Sequence, residues 1–180
     1  MKNFRNRQSI LKLSRIRLGG FTIVEMVIVI IILSIAAMMA IPFATSGTST
    51  QLKAAATIIS SDLEYAKSMA ISRGQKYWVV FDEGSESYSI KDVNGVIISH
   101  PIKKAFPYTI NFAADSRLDR VNITSVNFDS ADTVGFDYLG SPLQSDGSYL
   151  ISPGQIELSA GSSTMTVNVE PVTGYITISD

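Results

Sequence analysis

"RLGGFTIVEMVIVIIILSIAAMMAIP", residues 17–42, decides how the rest of the chain is read. After Arg17 it holds one charge, Glu25, just inside an apolar run from Phe21 to Ile41. As a helix that run rises roughly 31 Å at about 1.5 Å per residue, close to the hydrocarbon thickness of a bilayer. Residues 1–20 carry six basic side chains (Lys2, Arg5, Arg7, Lys12, Arg15, Arg17) and no acid. The remaining 160 residues hold nine basic and sixteen acidic side chains, a net charge of −7. A cationic flank on the N-terminal side alone places that end in the cytoplasm by the positive-inside rule. The competing reading is a cleaved secretory signal with "AAMMA" as its small-residue cut site. Three features argue against it: the length of the run, the interruption at Glu25, and the return of helical patterning after Pro42.

A lone carboxylate at membrane depth costs on the order of a few kcal/mol unless it is paired or protonated. The apolar run offers Glu25 no basic partner. A cut between Gly20 and Phe21 creates one, a free α-amino group that is largely protonated near neutral pH. That ammonium lies at a helix N-terminus, where the macrodipole disfavours it and favours an acid in the first turn. Glu25 is able to offset it within its own chain or to reach the amine of a neighbouring chain, and the second option couples charge neutralisation to assembly.

The stretch "GGFTIVEMVIVIIILSIAAMMAIP" resembles the N-terminal segment of type IV pilins and pseudopilins. The resemblance implies a basic leader over residues 1–20, removed by a prepilin peptidase that cuts after Gly20. It implies N-methylation of Phe21 and a packing role for Glu25, with Thr22 and Pro42 completing the pattern. It further implies a membrane-spanning assembly helix over 21–43, with the N-terminus in the cytoplasm, one pass through the bacterial inner membrane and the C-terminal part in the periplasm. The partners implied are other pilins or pseudopilins in a hetero-oligomeric filament.

Beyond the apolar run, Pro42 removes a backbone donor and clashes with the preceding turn, so a kink or break is predicted there. "ATSGTST", 44–50, is poor in helix formers and reads as a hinge. Leu52, Ala56, Ile59, Leu63, Ala66 and Ala70 then recur at spacings of four and three, a narrow stripe suited to a helix laid on a sheet. Gly74 is the predicted stop, which makes 44–74 a hinge plus amphipathic helix. From 75 to 180 the chain reads as β. The runs are "YWVVF" (77–81), "YSI" (88–90), "VIIS" (96–99), "YTINF" (108–112), "VNITSVNF" (121–128), "VGFDY" (134–138), "QIELSA" (155–160), "MTVNVE" (165–170) and "YITIS" (175–179). Asn94-Gly95 and Thr173-Gly174 are hairpin signals. The predicted fold class is α+β: a long N-terminal helix packed on antiparallel β-sheet, pilin-like, with no catalytic domain.

Within that family the chain resembles the GspH/FimT group of minor pseudopilins and pilins. "SSDLEYAKSMAISRGQKYWVVFD" is similar to its helix-to-strand segment through Ala66, Lys67, Ala70, Arg73 and Gly74. "VGFDYLGSPL" matches through Phe136 and Gly140, and "VEPVTGYITIS" is similar to its closing glycine hairpin. A calcium-binding C-terminal loop like that of the major pseudopilin has no counterpart.

Enzymatic readings find little support. There is no cysteine, hence no thiolate metal site or cysteine nucleophile, and no P-loop, dinucleotide fingerprint or nucleophile elbow. His100, the single histidine, precedes Pro101 and reads as an exposed turn; Trp78 reads as core. "DEGSE" (82–86) and "DSADTVGFD" (129–137) gather oxygens without the EF-hand order, so solvated turns are expected and calcium is the alternative. No cofactor, metal or small-molecule substrate is predicted. Two functional readings remain. One is a structural subunit of a type II secretion pseudopilus, tip-proximal by its resemblance to GspH. The other is a FimT-like minor pilin for pilus assembly or DNA uptake. Phosphate binding needs clustered Lys/Arg. Residues 121–180 contain none against seven acids, leaving Lys103, Lys104, Arg117 and Arg120 as the available patch, so nucleic acid is the disfavoured partner.

Overall fold

The computed structural model describes residues 20–180, with the side chains of 39–46 outside that description. The basic leader therefore lies outside the described residues, Gly20 excepted. The elements in chain order are α1 (Ile23–Arg73), β1 (Tyr77–Asp82), a 3-10 turn (Glu83–Ser85), β2 (Ser87–Lys91), β3 (Thr109–Asn111), β4 (Asn122–Asn127), β5 (Thr133–Phe136), β6 (Pro142–Leu143), β7 (Gly154–Ala160), β8 (Ser163–Val169) and β9 (Ile176–Ser179). The chain divides into two compact units, Met1–Ile41 and Pro42–Asp180.

In the first unit the described residues are the opening turns of α1. A kink or break is predicted at Pro42; the helical assignment of α1 includes Pro42 and the 44–50 stretch, so no break separates two helices there. A proline removes one hydrogen bond and costs about 3 kcal/mol, a local penalty that the ladders on either side can outweigh. Among the described residues no helix is long and apolar enough to cross a membrane. The run predicted to do so extends to Ile41, into the residues whose side chains are not described.

The second unit is a helix against two antiparallel sheets. One sheet has the order β3-β2-β1-β5-β6 and the other β4-β7-β8-β9. The stripe of Leu52, Ala56, Ile59, Leu63, Ala66 and Ala70 is buried as its spacing predicts, joined by Ala55. Small side chains at four of these seven positions let the helix approach the sheets closely. Inward residues alternate along each strand: Tyr77, Val79 and Phe81 on β1, Tyr88 and Ile90 on β2, Ile156, Leu158 and Ala160 on β7. All join the helix stripe in one apolar cluster. Gly74, at φ +63°, ends α1, and the Gln75 N–H donates to the Ala70 carbonyl at 3.2 Å, the six-to-one bond of a left-handed helix stop.

Three sequence expectations change in this unit. Residues 96–99 form no strand: Ile97 and Ser99 make only isolated bridges, to Lys91 and Pro107. The Asp92 carboxylate accepts the N–H groups of Asn94 and Val96 in a tight turn, and the returning segment pairs with β2 through single contacts such as the Ile98 N–H on the Ile90 carbonyl at 3.0 Å. Trp78 is not core. It occupies an outward position on β1, partly exposed and lying over Gly135, where an added Cβ would come within 2.6 Å of the indole. The pleat explains it, since Tyr77 and Val79 on either side take the inward positions. His100 does sit in a turn, but its ring is half-buried.

Candidate functional site

Thr22 begins the described helix and organises its first turn. Its carbonyl accepts the Met26 N–H at 3.1 Å, and its Oγ1 accepts the Glu25 N–H at 3.2 Å. Thr22 is therefore the N-cap and Glu25 the third helical residue, the T-x-x-E spacing of a capping box. This role for Thr22 was readable from the spacing and passed unnoticed in the sequence. Glu25 is exposed and stands where the positive end of the helix dipole favours an anion. Among the described residues it forms no ion pair. Gly20 and Phe21 precede the helix in exposed, non-helical backbone, with Phe21 73% exposed. Pro42 lies on α1, its side chain outside the described residues.

From Phe21 to Met38 every large apolar side chain is exposed, Ile23 at 84% and Met38 at 77% marking the ends of the helical part. The one hydroxyl deeper in the run, Ser34, donates to the Ile31 carbonyl at 2.8 Å and asks for no outside partner. A helix that is apolar all round must be covered by lipid or by other helices. Glu25 is thus the single charged feature on a surface otherwise built for apolar cover.

In the second unit the segments at Ala66–Gly74, Phe136–Gly140 and Glu170–Tyr175, distant in sequence, meet. The Lys67 ammonium donates to the Gly174 carbonyl at 2.9 Å and pairs with Glu64 at 3.1 Å. Gly174, at φ +57°, is pressed so closely on the Gly140 carbonyl that a Cβ would stand 2.6 Å from it. Phe136 lies buried beside them. These residues clamp the last hairpin to the helix, a structural use for each.

Asp62 was missed in the sequence. It accepts the hydroxyls of Tyr88 at 2.6 Å and Tyr108 at 2.8 Å, tying α1 to β2 and to the start of β3. Burial pushes its carboxyl above the usual range, although both tyrosine hydrogen bonds pull the other way. Burial and the neighbouring carboxylate push both phenols upward. Its signal was an acid three residues after Ile59 and four before Ala66, on the buried stripe itself.

The acidic loops spend their oxygens on backbone. Asp82 caps the 3-10 turn at Ser85, and Glu83 and Glu86 accept N–H groups of β4 at Val126 and Ile123. Asp129 accepts Ile151 and Ser152, and the buried Asp137 accepts Leu139 and Ser141. Among the described residues no three metal-ligating side chains are placed to hold an ion. Of the basic residues, Arg117 is engaged by Asp115 at 2.6 Å, which holds that carboxyl down at about 2.

No protein-family model matches the sequence, and no curated protein matches it. Solved structures similar to it include the type IV minor pilin FimU of Pseudomonas aeruginosa (strain PAO1) in two crystal forms. One is 16% identical, covering 72% of this chain and 93% of FimU at a TM-score of 0.46. The other is 15% identical, covering 72% and 88% at 0.47. The minor pseudopilin EpsH from the type 2 secretion system of Vibrio cholerae is 11% identical, covering 71% of this chain and 95% of EpsH at 0.48.

Proposed function

We propose that this chain is a minor pilin or pseudopilin, a non-catalytic structural subunit that joins a filament through residues 21–43. The observation that carries the reading is the Gly20–Glu25 segment: an exposed Gly-Phe bond, a Thr22 cap, and one carboxylate at the head of a helix that exposes apolar side chains throughout. In this reading a prepilin peptidase on the cytoplasmic face of the bacterial inner membrane cuts after Gly20. Phe21 becomes the mature N-terminus and is N-methylated. Its ammonium and the Glu25 carboxylate of an adjacent subunit then neutralise each other in an apolar setting, where an unpaired charge is costly. Head-to-tail repetition of that contact builds an open helical filament where its rotation does not close into a ring.

The finer assignment is a tip-proximal, GspH-like subunit of a type II secretion pseudopilus, supported by the helix-end, Phe136–Gly140 and closing-hairpin residues quoted above. DNA capture by a FimT-like relative is not adopted: one of the four candidate bases is paired, and residues 121–180 carry none.

Gly20→Leu should leave the leader attached, and intact-mass measurement of membrane-extracted protein reads the result directly. Glu25→Ala should enter the membrane at wild-type levels yet disappear from sheared filaments. Normal trimming of the first variant, or normal incorporation of the second, overturns the proposal.

A further inference from the structure

His100 sits at one end of a three-ring stack, centred on Tyr108, that the filament reading does not use. Its ring stacks on Tyr108 with centroids 4.6 Å apart and planes 19° apart, and Tyr65 stacks on Tyr108 at 5.6 Å. Asp62, held by Tyr88 and Tyr108, is close enough to feel the charge of His100. The other face of the arrangement is the turn that follows. His100 Nδ1 accepts the N–H groups of both Ile102, at 3.1 Å, and Lys103, at 3.2 Å. An acceptor at Nδ1 requires the neutral ring with its proton on Nε2.

We propose that His100 is a proton-operated latch on the loop 101–106. Protonation places an N–H on Nδ1, opposite two N–H groups that it had been accepting, and the turn loses both bonds at once. The groups facing the ring settle which part moves. The carboxylate of Asp62 from α1 and the face of Tyr108, itself backed by Tyr65, both attract an imidazolium, so the ring stays in its stack. Lys103, on the loop itself and lining the same shallow apolar hollow as His100, Phe106 and Pro107, is repelled by it. The loop therefore leaves the ring rather than the ring leaving the core. Its base is held independently, by the His100 N–H on the Phe106 carbonyl at 2.9 Å and the Tyr108 N–H on Ile98 at 2.7 Å, so the change is confined to the tip. That tip carries Ile102, 85% exposed, and Phe106, 64% exposed, beside Lys103 and Lys104. The presentation of these residues therefore depends on whether the ring carries its second proton.

The test uses the full chain, isotope-labelled in detergent micelles, and its His100→Asn variant. An Asn carboxamide oxygen makes the same two-residue turn contact and does not titrate. In wild type at pH 8 the ring nitrogens should report the Nε2–H tautomer. On acidification the Ile102 and Lys103 amides should lose about tenfold in exchange protection, after correction for intrinsic rates, with the midpoint of the ring titration. In His100→Asn both amides should keep their protection from pH 8 to pH 5. An Nδ1–H tautomer, amides indifferent to the ring titration, or an equal pH response in His100→Asn each overturns the latch. None of these outcomes bears on leader cleavage or on Glu25.

Discussion

Removing the Asp62 carboxylate strands two phenols, and the size of the loss separates a buried network from a surface contact. Tyr88 is 1% exposed and Tyr108 is 4% exposed, and each hydroxyl donates to Asp62. An orphaned buried hydroxyl costs about 1–3 kcal/mol. Asp62→Ala orphans two, and water entering the vacated space recovers part of the loss, so the variant should be destabilised by about 2–4 kcal/mol at pH 7. Asp62→Asn keeps an acceptor and a donor in reach of the two phenols while removing a buried charge, and should lie within about 1 kcal/mol of wild type. The unit from Pro42 onward has its own core and suits urea unfolding followed by Trp78 and tyrosine fluorescence. With a slope of about 1.5 kcal/mol per molar urea, the midpoint of Asp62→Ala should fall by about 1.3–2.7 M.

The pH dependence has a definite sign. The folded-state carboxyl of Asp62 lies above its ordinary value of 3.8. In the window between the two values the folded state binds more protons than the unfolded state, so this group costs stability as pH rises through that window. Asp62→Asn should therefore gain on wild type as pH rises from below 3.8 towards neutrality. A midpoint for Asp62→Ala within 0.3 M of wild type (about 0.5 kcal/mol), or a wild type that gains on Asp62→Asn as pH rises, refutes the reasoning.

Gly154→Ala and Gly135→Ala should differ although each Cβ meets an aromatic ring. At Gly154 it overlaps the fully buried Phe128 ring, for a loss of about 2–3 kcal/mol, whereas at Gly135 it meets Trp78, which can swing toward solvent, for about 1 kcal/mol or less; parallel urea curves compare them. Gly174→Ala combines positive φ with a Cβ 2.6 Å from the Gly140 carbonyl, and should cost about 2–3 kcal/mol while raising hydrogen exchange in β9. Arg117→Gln should let the Asp115 carboxyl return from about 2 toward 3.8, read by carbon NMR titration; the Asp115–Arg117 contact is present at neutral pH and lost as pH falls through the folded value.

Sequence and tertiary structure divided the work along a physical line. Properties that act over one or two turns of chain were legible in the residues: the apolar helix headed by Glu25, the stripe from Leu52 to Ala70, the stop at Gly74, and most strands through their alternation. Where local rules predicted a different outcome, a neighbour was responsible. Residues 96–99 divide their pairing between Lys91 on one side and Pro107 on the other and so form no continuous ladder, and Trp78 was turned outward by the register of Tyr77 and Val79. The Lys67–Gly174–Gly140 clamp, the Asp62 hydrogen bonds and the His100 stack join positions between eight and more than a hundred residues apart. No periodicity reports such contacts, because a hydrogen bond or ring contact depends on where two segments are brought in space and leaves no repeat in either one. The chain alone therefore specified most of its elements, and only folding decided which polar groups would be spent on holding them together.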